Sequence, residues 1–271
     1  MNNAMEKTVS SSRSSQRGVS MVELMISATL GLIVMAGVTQ IYINSKQSQR
    51  SNNAVFRLQE NGRTAISIMT NTAQMTGYIA DPNASPGSVF LAAGAFTAGA
   101  AITATNNDSD TSNDIKDNTD WFVVRYQGNS DDSLVLDCIG NALPSADPAF
   151  PNDVFPMVFG ISDDNQLFCE PGALGAGSRI TIADGVENLQ LLYGVDSDAD
   201  QAANFYVDAD SVTDFSTVVN LRITFLVRSR DRVTTGPMAY TYNGVTTTNP
   251  GDRRMRFVFN TTITLKNISN G

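Results

Sequence analysis

"RGVSMVELMISATLGLIVMAGVTQIYI", residues 17–43, carries one carboxylate, Glu23, near the start of an otherwise uncharged apolar run. From Val19 to Ile43 the chain could form a helix about 37 Å long at roughly 1.5 Å per residue. That exceeds the roughly 30 Å hydrocarbon core of a bilayer. Residues 19–43 therefore read as a transmembrane helix. A secretory signal would have a shorter apolar centre followed by small residues at a cleavage site, whereas this run passes directly into helix-compatible sequence. A plain one-span anchor has no use for Glu23. A carboxylate in hydrocarbon costs on the order of 3 kcal/mol even on gentle insertion scales, so it calls for a positive partner.

The surroundings set the orientation. Residues 1–18 form a polar leader with Lys7, Arg13 and Arg17 against Glu6. Beyond the run, Lys46 and Arg50 are no denser, which places the N-terminus in the cytoplasm.

Composition excludes several functions. The 271 residues, 42% hydrophobic, suffice for a substantial core. A formal charge of −9 and the lack of a basic stripe in the sequence argue against nucleic acid binding. Histidine is absent, which removes His bases, His metal ligands and Ser-His or Cys-His pairs. With no nucleophile elbow, phosphate loop or zinc motif either, an enzyme is not expected.

"RGVSMVELM" resembles the processing site of type IV pilins: a basic leader, Gly18 before the cut, Val19 as the new N-terminus and Glu23 at the fifth mature position. The resemblance implies that a prepilin peptidase cleaves after Gly18 and that the new terminal amine is methylated. It also supplies a partner for Glu23, the terminal ammonium of a neighbouring subunit or of its own chain. Val19 departs from the Phe with which major pilins usually begin.

Residues 44–80 continue as an amphipathic helix. Val55, Leu58, Gly62, Ala65, Met69, Thr72 and Thr76 recur at three- and four-residue steps, a stripe that asks for a globular cover. A free helix on a membrane surface is the weaker alternative, because Arg57, Glu60 and Arg63 make no strongly basic face. Gly77 and Pro82 are the expected stop signals. Residues 81–120, with "TNNDSDTSNDIKDNTD", read as a long variable surface loop. From 121 to 271 the period changes to two. Trp121–Tyr126 and Leu134–Ile139 read as strands joined through "QGNSDDS". Val219, Leu221, Ile223, Phe225 and Val227 share one face of "VVNLRITFLVR". Met255, Phe257, Phe259, Ile263 and Leu265 do so in "MRFVFNTTITLK", and Leu189, Leu191, Tyr193 and Val195 in "ENLQLLYGV". The expected fold is α+β, with a long N-terminal helix packed on an antiparallel sheet.

The succession "LQENGRTAISIM", "MTGYI", "VENLQLLYGVDSDAD", "VVNLRITFLVRSR" and "RRMRFVFNTTITLKN" resembles the PilW family of minor pilins. This implies a subunit of an inner-membrane priming complex that starts type IV pilus assembly and ends at the fibre tip, in the service of adhesion and twitching motility. Its implied partners are other minor pilins, the major pilin and the prepilin peptidase, with a PilY-type tip adhesin as a further one. A pseudopilin of a type II secretion or DNA-uptake system is the alternative, since it shares Gly18 and Glu23. The domain beyond the helix is expected in the periplasm before assembly.

Two smaller features remain. Cys138 and Cys169 are the only cysteines, and outside the cytoplasm a disulfide is favoured over two separate thiols. It would staple the Pro-rich segment between them, which is not expected to be rigid by itself, in a structural role that presents a binding loop. Asp196, Asp198 and Asp200 occupy the first three oxygen positions of a calcium loop. However, Gln201 stands where a glycine is wanted and Val207 where a glutamate is wanted, with Asp208 one residue late. An acidic turn is the plainer reading of that stretch.

Overall fold

The computed structural model describes residues 18–128, 135–143 and 151–268. By its contacts the chain divides into two compact units, residues 1–49 and 50–271. The elements in chain order are α1 (Met21–Met75), α2 (Pro86–Val89), β1 (Ile102–Thr105), β2 (Trp121–Gln127), β3 (Val154–Ile161), β4 (Gln166–Pro171), β5 (Ile180–Asp184), β6 (Val186–Val195), β7 (Phe205–Val207), β8 (Val218–Arg228), β9 (Tyr240–Tyr242), β10 (Val245–Thr247) and β11 (Arg256–Thr264). The α+β expectation holds: one long helix accompanies antiparallel sheets.

In the first unit, α1 is apolar on all sides from Met21 to Ile43 apart from Glu23. Its Ser and Thr hydroxyls bond back to carbonyls one turn earlier, Ser27 to Glu23 at 2.7 Å and Thr39 to Met35 at 2.8 Å. That local closure hides their polarity, which is what a helix in an apolar medium requires.

In the second unit, the expected stripe is the buried face of α1. Leu58, Gly62, Ala65, Met69 and Thr72 are buried together with Ala73, Val55 is half-buried, and Thr76, also buried, falls just past the helix end. The helix stops at Met75, short of the expected residue 80. Gly77, at φ +79°, turns the chain back and donates its N–H to the Arg125 carbonyl. Pro82 thus lies outside the helix it was expected to end.

The strands form two main sheets rather than one. The first has the order β1-β2-β3-β4-β5 and the second β11-β8-β6-β7, with β9 and β10 a separate hairpin. In the second sheet the faces fall as the alternation predicts: Leu221, Ile223, Phe225 and Val227 of β8, and Leu189, Leu191 and Tyr193 of β6, are buried. One hydrophobic core joins these residues to Leu58, Ala65 and Met69 of α1 and to Phe122, Met157 and Phe159 of the first sheet. Gly185, at φ +78°, makes the one-residue corner between β5 and β6. A Cβ there would meet the Arg228 carbonyl oxygen at 2.5 Å, so the two sheets can turn into one another only at a glycine.

Three expectations are corrected in the first sheet. The segment 81–120 is not one open loop: it holds α2 and β1, and Ala100, Ala101, Ile102 and Ile115 are buried. Its small residues hid a short strand that gains its stability from pairing with β2. Second, β2 pairs with β1 and β3 rather than with residues 134–139. Leu136 forms only an isolated bridge to Ala142, and residues 129–134, most of the expected hairpin turn, lie outside the described residues. Third, the Pro-rich segment between the cysteines contains β3, whose Phe155, Met157, Phe159 and Ile161 are core residues. Pro156 is tolerated there because its carbonyl accepts from Gly172, just past β4, so its missing donor falls at the end of that ladder.

Candidate functional site

Gly18, Val19 and Ser20 precede the helix and are exposed. The chain enters α1 at Met21, and the Leu24 N–H donates to the Ser20 carbonyl. The peptide bond between Gly18 and Val19 thus lies in exposed backbone ahead of the helix. Residues 1–17 lie outside the described residues.

Glu23 sits in the first turn of α1, where a negative charge complements the unpaired N–H groups of the helix start. Among the described residues no side chain pairs with its carboxylate. From Val19 to Ile43 the large apolar side chains are all more than half exposed. An 18-residue stretch of the helix has a mean hydropathy of 2.0, and none of it is buried among the described residues. A continuous apolar surface of that size on a protein marks a place for lipid or for other chains.

The disulfide joins Cys138, in a turn after the Leu136 bridge, to Cys169 in β4, with Cα atoms 6.4 Å apart. Cys169 is buried in the core. The link ties an irregular segment to a central strand of the first sheet.

Asp196, Asp198 and Asp200 do converge, with one carboxylate oxygen of each within 4.8 Å of the others. The Asp196 carboxylate already accepts the backbone N–H groups of Asp198, Ala199 and Gln201. Val207 lies in β7 paired with Tyr193, and the Asp208 carboxylate caps the following turn by accepting from the Ser211 N–H. Asp198 accepts from the Asn204 side-chain amide and Asp200 from the Ala202 N–H, so the three carboxylates, all engaged within the turn, fall short of the six to eight oxygens that calcium takes. The arrangement serves first as a turn.

Several charged groups that the alternation could not reveal organise the second unit. Arg125, in β2, is buried and donates to the carbonyls of Ala100, Leu91 and Thr97. Its guanidinium lies over Phe96, 4.1 Å from the ring centroid. Burial lowers its pKa to about 10, yet the group remains charged at neutral pH. Asp120 is buried at the border of the two sheets and accepts from the N–H groups of Leu191 and Asn107. Burial raises its pKa to about 6, against the opposing pull of those two donors. Arg256 in β11 forks onto Glu187 of β6 and Asp252, with its shortest contact, to Glu187, at 2.6 Å. Arg228 of β8 shares Glu187 at 3.1 Å. The only sequence signal for these groups was charge at strand ends.

An exposed apolar helix with one acid in its first turn, continuing into a helix laid on an antiparallel sheet, is the form of a type IV pilin-like protein. Residues 13–39 match the family model for the prokaryotic N-terminal methylation motif, a span that includes Gly18, Val19 and Glu23. Residues 159–267, from β3 to past β11, match that of Type IV Pilus-assembly protein W. The chain thus carries a segment that matches the PilW family behind a segment that matches the N-terminal methylation motif of type IV pilin-like proteins.

Among solved structures, the type IV-like pilin TTHA1219 from Thermus thermophilus is similar, with 12% identity and a TM-score of 0.45 over 79% of this chain and 98% of that one. No curated protein matches the chain.

Proposed function

We propose that this chain is a minor pilin of a type IV pilus. It is a structural subunit, not an enzyme, and it belongs to the inner-membrane priming complex that initiates assembly and comes to lie at the fibre tip. The observation that carries the reading is the conjunction of an uncovered 25-residue apolar run bearing Glu23 with a PilW domain further along the chain.

Such a helix has two comfortable surroundings, a bilayer and a bundle of like helices, and can pass between them with its apolar surface always covered. In the bilayer, the charge distribution favours a periplasmic second unit. Cleavage after Gly18 by the prepilin peptidase creates an ammonium at Val19. In a bundle that cation meets the Glu23 carboxylate of another pilin, or of the same chain. Leaving either charge unpaired in an apolar core costs several kcal/mol, so the pair fixes the axial register of one helix against the next. At a fibre end the second unit is free to support a tip adhesin of the PilY type.

Deletion of the gene with counts of surface pili is the direct test. Pili should become rare, and unchanged pilus number with lost secretion would indicate the pseudopilin role instead. At residue level, Gly18→Val should leave the leader attached, read as an unprocessed mass at the N-terminus. Glu23→Ala should be processed normally yet lose most co-purification with partner pilins. Normal mature mass in the first variant, or undiminished partners in the second, would defeat the assignment.

A further inference from the structure

The second unit carries an arginine-lined cleft of about 1180 Å³. Its walls are the 50–61 stretch of α1, the ends of β4 and β5, and the chain from Arg228 to Val233. Ser51 fastens one wall to another by donating its hydroxyl to the Val233 carbonyl at 3.1 Å. Six arginines line the cleft, Arg50, Arg57, Arg228, Arg230, Arg232 and Arg254, against the acids Asp164, Asp184 and Asp231. The whole chain has 18 basic and 27 acidic residues, so a third of its cations collect where they repel one another.

Two of the six are committed within the fold. Arg228 pairs with Glu187, and Arg254 donates to the carbonyls of Ser229 and Arg230. Arg50, Arg57, Arg230 and Arg232 are exposed, and among the described residues none has a carboxylate partner. Four free guanidinium forks around a concavity suit a phosphate, which takes paired N–H donors and two charges' worth of compensation.

We propose that this cleft binds the phosphate of an anionic phospholipid headgroup at the membrane surface. The proposal rests on the membrane-anchored reading of the apolar run. Arg50 follows the end of that run, Ile43, by only seven residues, so the cleft's first cation belongs to the juxtamembrane sequence, within about 11 Å of the run's end along a helix and so near headgroup phosphates. Elsewhere the excess of acid repels such a surface. The cleft is the part of the second unit that an anionic bilayer attracts, and it fixes which side of that unit rests on the membrane before assembly.

Native mass spectrometry of the mature full-length chain, extracted into mixed micelles holding equal phosphatidylglycerol and phosphatidylcholine, tests this. The unaltered chain should retain phosphatidylglycerol over phosphatidylcholine by about tenfold or more. Millimolar inorganic phosphate should reduce that retention. The variant R50Q/R57Q/R230Q/R232Q should lose the preference while keeping its melting temperature, since none of the four side chains is committed within the fold. Equal retention of the two lipids, or an unaltered preference in the variant, overturns the lipid site alone. A rise in melting temperature with inorganic phosphate but no lipid preference overturns it as well, in favour of a free anion. A chain that stays soluble without detergent defeats the anchored reading, and this proposal with it.

Discussion

Helix α1 has two halves of opposite design. From Met21 to Ile43 the apolar residues surround the axis, and among the described residues nothing covers them. In residues 50–75 they narrow to a stripe that the sheets bury. The glycines show the contrast most sharply. A Cβ built on Gly31 or Gly37 meets nothing within 4 Å, whereas one on Gly62 would lie 2.1 Å from Cζ of Phe259. Phe259 is itself stacked on Phe225 with ring centroids 5.3 Å apart. Small residues in the first half leave room for other chains, and the one at 62 makes room for this chain's own sheet. The first half is thus specified by surroundings outside the chain and the second by packing within it.

Substitutions should separate the halves in order of size. Met69→Ala removes a fully buried side chain and is expected to cost about 2–5 kcal/mol in denaturant unfolding. Leu32→Ala, in the uncovered half, should change the same measurement by no more than about 0.5 kcal/mol. Equal effects would erase the distinction. Reduction of Cys138–Cys169 acts on the second unit alone. Closing a 31-residue separation corresponds to about 3–4 kcal/mol in the chain-entropy model, so the melting temperature should fall clearly under reductant and stay put in a Cys138→Ser, Cys169→Ser double variant.

Gly62→Ala should destabilise by about 1–3 kcal/mol, because overpacking against Phe259 outweighs the gain in helix propensity. Gly37→Ala should be neutral or slightly stabilising for unfolding, with any defect appearing only in co-purification of partner pilins. A neutral Gly62→Ala would mean that the Phe259 ring yields freely.

The second unit should also show a pH dependence. Asp120 has a folded pKa of about 6, above its unfolded value near 3.9. Its contribution is therefore most favourable below pH 4 and is lost as pH rises through 6, on the order of 3 kcal/mol in all. The second unit should melt higher at pH 5 than at pH 7.5. Asp120→Asn should flatten that difference relative to the unaltered chain, and an unchanged slope would assign it to the protein's overall negative charge.

Much of this was legible along the chain. The hydrophobic period gave the helix stripe from Leu58 to Thr76 and the inward faces of β6 and β8, because both follow from local geometry repeated along an element. The cysteine pair was legible from number and compartment. What stayed hidden was β1, built of small residues that become a strand only by pairing, and β3, whose Pro156 reads as a loop until its place at the end of a ladder is known. The buried Arg125 and Asp120 were hidden too, since their partners are backbone groups brought together by folding.

The amino-acid sequence alone determined the match to an N-terminal methylation motif, the acid at Glu23 and the apolar run behind it, because these are properties of consecutive residues. Only the tertiary structure decided the division into two sheets at Gly185, the seat of Phe259 over Gly62 and the gathering of Arg50, Arg57, Arg230 and Arg232 around one cleft. Those depend on which distant segments meet, and that is set by packing the whole core at once rather than by any local preference.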